Sequence, residues 1–318
     1  MAVNHFKEFS TQADYEAYIQ PDDYAKPLVA LIDATGTVEF PQGGGGGGGG
    51  TTGNPILTSV DVDDFTGTAF SGLDQITGVT FPSGITSISN QAFWYMTSLT
   101  SVDIPSGVTT IGTSAFAGCA GLRTVTIPST VNTINQQAFD GCTSLQSVTI
   151  PSGVTAINNY TFRSCTSLAS VSIPSTVTGT LGQQAFSGCR ALTIVDLSGT
   201  SVTKIDSQAF NNCTALASVT FPTTLTTIQN STFISCISLA SIDIPSTVTS
   251  IGASAFFNCI ALVSLTVRAT TPPTFGYQAL QSTPANLVIY VPAASVETYK
   301  TTSGWSTYAS QIQAIPSA

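Results

Sequence analysis

A phenylalanine followed three residues later by a cysteine recurs seven times, and each copy lies 23 or 24 residues after the one before. The first copy is Phe116 with Cys119, the last is Phe256 with Cys259, and Phe93 holds the same position one period earlier. A fixed period of this length is typical of solenoids, in which each repeat forms one coil that contacts only its neighbours. The period therefore predicts a stack of coils in which most residues recur for structural reasons.

Each repeat also carries a Val-x-Ile triplet followed by a proline, as in residues 148–151. The alternation of apolar and polar residues indicates a short strand, and proline ends the strand because it cannot donate to a ladder. One coil cannot bury its own apolar face, so coils stacked at about 4.8 Å would pair their triplets into a parallel sheet. We predict a solenoid of about ten coils of 23–24 residues over residues 55–268, with the phenylalanines stacked inside it.

These positions together form the pattern x-A-F-x-x-C-x-x-L-x-x-V-x-I-P, which closely resembles the BspA-like (treponemal-type) leucine-rich repeats. The resemblance covers residues 55–268 and implies a leucine-rich-repeat array. Residues 269–318 look like the C-terminal cap that closes such arrays, with a last strand at Leu287–Val291 and then a short helix. A cap is needed because a final coil would otherwise expose a sheet edge and an apolar end. The predicted helix carries Val296, Tyr299, Trp305 and Tyr308.

Three irregularities interrupt the pattern. Ser198 replaces the proline that ends most of the other triplets. Insertions near Gly179 and Gly199 produce the two 24-residue repeats, and we expect loop bulges at both places.

The seven cysteines could be metal ligands, disulfide partners or packing residues. No C-x-x-C pair exists and His5 is the only histidine, which argues against zinc. Seven is an odd number, and Met96 and Leu73 fill the cysteine position in early coils, so the position selects a medium apolar side chain. We therefore predict free, buried thiols that act as small hydrophobic groups, with no metal and no cofactor.

Residues 1–41 lie outside the repeat, and we predict that they form a small α+β head. This head would consist of a short helix followed by the strands Leu28–Ile32 and Val38–Phe40. Residues 42–54 form a glycine-rich linker, in which Gly43–Gly50 could be a flexible tether or an ordered packing segment. The segment FKEFSTQADYEAYIQPDDYAKPLVALIDATGTVEFPQ resembles the N-terminal attachment segments of virion proteins in tailed phages of gut bacteria. That resemblance implies that the head anchors the chain to other virion proteins, as a homo-oligomer with a trimer favoured.

Charge is concentrated at the start of the chain. Residues 1–65 carry a net charge of −8, and the rest of the chain is close to neutral. No basic face is expected, which argues against nucleic-acid binding. The N-terminus lacks the apolar segment of a signal peptide, and no apolar run approaches the roughly 18 residues that cross a bilayer. We expect a product made in the cytoplasm without membrane insertion and released by lysis.

Departures from the repeat supply the candidate binding residues. Trp94 and Tyr95 follow the phenylalanine of one coil, where most other coils have small or polar residues, and they are candidates for a partner interface. Four apolar residues on two adjoining coils predict a subunit or partner interface, or else burial beneath the cap: Ile234, Ile237, Phe257 and Ile260. Three acids stand among the hydroxyls of the predicted strand face, where a glycan or protein could bind: Asp103, Asp196 and Asp243.

The sequence shows no catalytic arrangement, and we predict that the chain is not an enzyme. The acids of the strand face are too far apart to share a metal ion or to form a glycosidase pair. Three acids near the start of the array could hold calcium or form a solvated, charged coil: Asp61, Asp63 and Asp64.

The two resemblances together predict a fibre-type or adhesin-type virion surface protein that binds a protein or glycan on the bacterial host. A bacterial cell-surface adhesin with leucine-rich repeats is the first alternative. A purely structural decoration protein of a capsid or tail is the second.

Overall fold

The structure is a computed structural model that describes residues 84–317 continuously, residues 78–81, and the backbone of short strands at 31–32, 38–39 and 56–58. The predicted N-terminal helix, the Gly43–Gly50 tract and the acids at 61, 63 and 64 lie outside the described residues.

The described chain forms a stack of coils, and its main feature is a ladder of parallel strands located at the Val-x-Ile triplets. Neighbouring strands pair one coil apart, as in Val148 opposite Val171. Short breaks divide the ladder into four hydrogen-bonded groups that follow one another along the same side. The strands are β3 Ile56–Thr58, β4 Gly78–Thr80, β6 Ser101–Asp103, β8 Thr124–Thr126, β10 Ser147–Thr149, β11 Ser170–Ser172, β13 Ile194–Asp196, β15 Ser218–Thr220, β17 Ser241–Ile244, β19 Ser264–Val267, β21 Val288–Val291 and β22 Ile312–Ala314.

A second parallel ladder, which the sequence did not predict, forms a further side of the coils. Most of its strands have only two residues, as in β9, and are too short to show an alternating pattern, because a period of two needs several residues to be visible. The strands are β5 Ser87–Ile88, β7 Thr110–Ile111, β9 Thr133–Ile134, β12 Thr178–Leu181, β14 Ser201–Ile205, β16 Thr227–Ile228, β18 Ser250–Ile251 and β20 Thr274–Phe275. The register between β12 and β14 shifts after Gly179, because Gly179 lies opposite Val202 and Thr180 opposite Lys204, which leaves Thr203 of β14 as the extra residue.

The phenylalanines at the period of 23–24 residues form the centre of the core, as predicted. The eight rings from Phe93 to Phe256 are fully buried and stack with centroids 5.1–5.6 Å apart. Their planes lie within 12° of parallel. Offset stacking at this distance is a favourable arrangement of aromatic rings. We call this set the phenylalanine spine; Leu280 takes the equivalent position in the next coil.

The backbone beside the spine explains much of the repeat's composition. The residue two before each spine position and the residue two after it both have positive φ, as at Gln137 (φ 59°) and Gly141 (φ 74°). This geometry lets alternate N–H groups of one coil donate to carbonyls of the next, as Gln91, Phe93 and Tyr95 do. A positive φ raises the conformational free energy of a residue with a Cβ atom by about 1–2 kcal/mol, whereas glycine adopts it without this cost. The position two after the spine is accordingly filled by Gly, Ser or Asn in every described coil except that of Tyr95.

The described part of the N-terminal head lies at the first edge of the array. Strand β1 (Leu31–Ile32) pairs antiparallel with β2 (Val38–Glu39), in agreement with the predicted hairpin. Strand β1 also pairs parallel with β3 of the same chain. The hairpin therefore covers the edge that β3 would otherwise expose.

The C-terminal cap differs in detail from its prediction. Helix α1 (Val296–Thr301) and a 3₁₀ helix (Trp305–Gln311) replace the single predicted helix, because Gly304 between them has φ +84°. The chain then adds β22, so β21 is not the last strand. Trp305 is fully buried, stacks on Phe275 at 4.0 Å and donates its indole N–H to the Pro273 carbonyl.

Candidate binding surfaces

The outer side of the first ladder is a regular polar surface, which we call the strand face. In most coils the middle residue of the three-residue strand, which is the valine of the Val-x-Ile triplet, points into the core, and the strand residues on either side of it are exposed. The exposed positions are mainly hydroxyls: Ser101, Asp103, Thr124, Thr126, Ser147, Thr149, Ser170, Ser172, Ile194, Asp196, Thr220, Ser241 and Asp243.

The three predicted acids all lie on this face, but on separate coils, and the structure does not bring them together. Asp243 forms a bidentate ion pair with Arg268, with Nε 2.8 Å from Oδ1. Asp196 accepts hydrogen bonds from the Ser198 hydroxyl and backbone N–H, which lower the pKa of the carboxyl. Ser198 brings an N–H to the position where other coils have proline, and Asp196 satisfies that donor. Asp103 is exposed in β6.

The four apolar residues predicted as an interface lie on adjoining coils beside the spine. Ile237 and Ile260 are 37% and 57% exposed, and Ile234 and Phe257 are half-buried. The interface at these residues stays a prediction.

Trp94 and Tyr95 lie on the same side of the coils, near the start of the described array. Their rings meet edge to face with centroids 4.7 Å apart. Tyr95 is 53% exposed, and its ring lies against Gly118 of the next coil, where a Cβ atom would come within 2.9 Å of it. Glycine at that position therefore makes room for the tyrosine ring.

An ion pair beside these rings was not singled out from the sequence. Asp140 and Arg163 lie one coil apart and form a bidentate pair, with Nε 2.9 Å from Oδ1. The Asp140 carboxylate raises the pKa of Arg163, and the guanidinium also lies over the Tyr160 ring at 4.9 Å. The available signal was the appearance of opposite charges 23 residues apart in an array with few charges.

The cysteines form a buried column of free thiols, which confirms the packing prediction. Each Sγ–H donates to the carbonyl of the spine phenylalanine in the preceding coil, at 3.0 Å for Cys119 and 3.1 Å for Cys165. Burial raises the pKa of every one of these thiols, for example to about 12 in Cys213. The thiols are therefore protonated hydrogen-bond donors, and a metal-binding thiolate would have to lose that bond.

Neither a metal-binding cluster nor a membrane-spanning helix is found among the residues that the structure describes. There, no three side chains of His, Cys, Asp or Glu are grouped so that they could hold a metal ion. In the same part, no helix has the length and apolar character needed to span a bilayer.

Comparison with known proteins identifies the family. A family model described as "BspA type Leucine rich repeat region" matches residues 63–193 and 157–287 in six copies, which together cover more than half of the chain. The chain belongs to the BspA-type leucine-rich repeat family. This assignment agrees with the parallel ladder, the spine and the closing cap. A search of curated proteins found no match.

A solved structure that is similar over most of this BspA-type chain has the same fold. A leucine-rich repeat protein from Bacteroides ovatus is 26% identical over 83% of this chain, with a TM-score of 0.65. The chain spans 63% of the length of that protein. A leucine-rich repeat protein of T. pallidum is 25% identical, with 65% of this chain and 82% of that chain covered and a TM-score of 0.42. A leucine-rich cell surface protein from Faecalibacterium prausnitzii is 23% identical, with 82% and 92% covered and a TM-score of 0.38.

Proposed function

We propose that this BspA-type protein is a non-catalytic adhesin, displayed at a surface, whose strand face binds a protein or glycan of a bacterial cell. The observation that supports this most is the strand face itself. It presents exposed hydroxyls at regular intervals on a rigid sheet, and its middle residues are anchored in the core. Many weak hydrogen bonds along such a face add up to useful affinity, because the sheet has already lost its conformational freedom.

The surface that carries the protein has two candidates. Membership in the BspA-type family supports a bacterial cell surface. The resemblance of residues 1–41 to phage attachment segments supports a virion surface, and the family match begins only at residue 63. In both cases the array is displayed and the head provides attachment, so the proposal for the strand face is the same.

Binding of the fluorescently labelled full chain to intact cells, measured by flow cytometry over a panel of gut bacterial species, tests the proposal. Thr126→Arg with Ser172→Arg places two charges on the strand face, two coils apart. Desolvating unpaired charges in a hydroxyl-rich contact is costly, so we expect bound fluorescence to fall to about a tenth. Thermal melting should be nearly unchanged because both positions are exposed.

A matched control separates the strand face from a general effect of charge. Asn132→Arg with Thr178→Arg adds the same two charges at exposed positions next to or in the second ladder, again two coils apart. This variant should bind like the unmodified chain. Equal losses in both variants, or no binding of the unmodified chain to any species, would contradict the proposal.

A further inference from the structure

A groove distinct from the strand face lies beside the spine, on the side of the positive-φ positions. It has a volume of about 600 Å³ and is lined by residues of five successive coils, from Trp94 to Ser187. Four inter-coil spacings of about 4.8 Å give it a length of about 19 Å. The groove is partly open to solvent and its lining spans five coils, so a chain-like ligand could lie in it across several coils.

One end of the groove has an aromatic platform. Trp94 and Tyr95 form it, and the Tyr95 ring rests on Gly118. Gly118 lies beneath the Tyr95 ring, and Gly141, which also has positive φ, lines the groove in the next coil. An exposed aromatic ring above a glycine floor offers a flat apolar surface, which suits the C–H face of a sugar ring.

The rest of the lining supplies hydrogen-bonding groups without net charge. Asp140 and Arg163 are the charged lining residues, and they neutralise each other. Each Asp140 oxygen has further lone pairs that can accept from ligand hydroxyls. The amide of Gln184 is held by Gln208, and Gln137 accepts from the Ser114 hydroxyl at 3.5 Å. A groove without net charge does not favour phosphates or acidic peptides.

We infer that this groove is a binding site for a neutral oligosaccharide, with one sugar ring on Tyr95 and the next units along Asp140 and Arg163. A few convergent polar groups beside an aromatic surface are the usual composition of a small-ligand site. In the other described coils the position of Tyr95 holds Gly, Ser or Asn, so the site is confined to this part of the array. The inference does not depend on the proposed function, because the groove and the strand face use different residues.

Intrinsic fluorescence of the full chain gives a direct test. The chain has two tryptophans, and Trp305 is fully buried in the cap, so a ligand-induced emission change reports Trp94. The probes are maltohexaose, xylohexaose, cellohexaose and mannohexaose, with tripolyphosphate and a galacturonate oligomer as anionic probes. We expect a saturable change with at least one neutral oligosaccharide and none with the anions.

Substitution of Tyr95 tests the site without endangering the fold. Tyr95→Gly removes the ring and places at φ 58° the residue found at the equivalent Gly118 and Gly141. We expect it to fold normally and to raise the Kd at least about tenfold, equal to 1.4 kcal/mol. Tyr277→Ala removes an aromatic ring that is 78% exposed outside the groove, and its Kd should be unchanged.

Three results would overturn the inference: no saturable change with any neutral probe, a response to the anions alone, or the same Kd in Tyr95→Gly as in the unmodified chain. The strand-face variant Thr126→Arg with Ser172→Arg should keep oligosaccharide binding. If this variant loses cell binding but gives the same fluorescence titration as the unmodified chain, the strand face and the groove are two separate binding sites. Either proposal can therefore fail while the other stands.

Discussion

Between about pH 8 and pH 10 the array should lose roughly 9 kcal/mol of unfolding free energy, which is enough to unfold a protein of ordinary stability. The cause is the column of seven buried thiols from Cys119 to Cys259. Burial raises the pKa of Cys119 from 9.0 to about 12, so the folded chain keeps the proton. The unfolded chain ionises above 9.0, and each thiol then favours unfolding by about 1.4 kcal/mol per pH unit. The stability that the protonated thiols contribute is fully present well below pH 9.0, begins to fall about one pH unit below that value, and is lost as the pH rises toward 12.

Urea unfolding at several pH values, followed by circular dichroism under reducing conditions, measures this effect. A double variant, Cys165→Ala with Cys189→Ala, should be less stable at pH 7 because it leaves cavities beside the spine. Its loss of stability with pH should nevertheless be shallower by roughly 2–3 kcal/mol per pH unit, because two thiols no longer ionise. The same dependence on pH in both chains would show that the cysteines are not the cause.

Phe162→Asp should destabilise the array by more than about 6 kcal/mol and separate it into two weakened halves. Phe162 is fully buried between Phe139 and Phe186, with centroids 5.6 and 5.5 Å away. Removing a buried phenylalanine side chain already costs about 3–5 kcal/mol, and a carboxylate adds the cost of burying a charge. Each coil contacts only its neighbours, so a disrupted central coil interrupts the cooperativity of the stack. The measurement is thermal unfolding followed by circular dichroism.

Phe162→Leu is the matched control. Leu280 occupies the spine position of the last coil, so leucine fits this backbone. We expect a loss of about 1–2 kcal/mol and a single unfolding transition. An unchanged melting temperature for Phe162→Asp would mean that the spine does not hold the coils together.

The features that could be predicted from the sequence are those visible within a single repeat. The period located the spine and the cysteine column, and the alternation in residues such as 147–149 located the strand face. Met96 occupies the cysteine position in an early coil, and this was sufficient to predict that the cysteines are packing residues and not metal ligands. What a methionine and a cysteine side chain have in common at this position is a medium size and an apolar character.

The features that escaped prediction depend on contacts between coils. The second ladder rests on two-residue strands such as β9, whose pairing is set by the neighbouring coil and not by local alternation. Tyr95 was recognisable in the sequence as an unusual residue. Its contact with Gly118 and its position in one groove with Asp140 and Arg163 could not be predicted, because they depend on the register in which the coils stack. Strand β22 directly follows the 3₁₀ helix that ends at Gln311, and its pairing with β21 could not be predicted from three residues.

Cryo-electron microscopy of cell envelopes and virions from the organism that encodes the chain tests the central claim, that the array is displayed for binding. We expect density for the solenoid projecting from one of these surfaces, with residues 1–41 in contact with the carrier and the strand face accessible from outside. Strand faces packed against one another or against a shell, with no free array on either particle, would contradict the claim and indicate a purely structural protein.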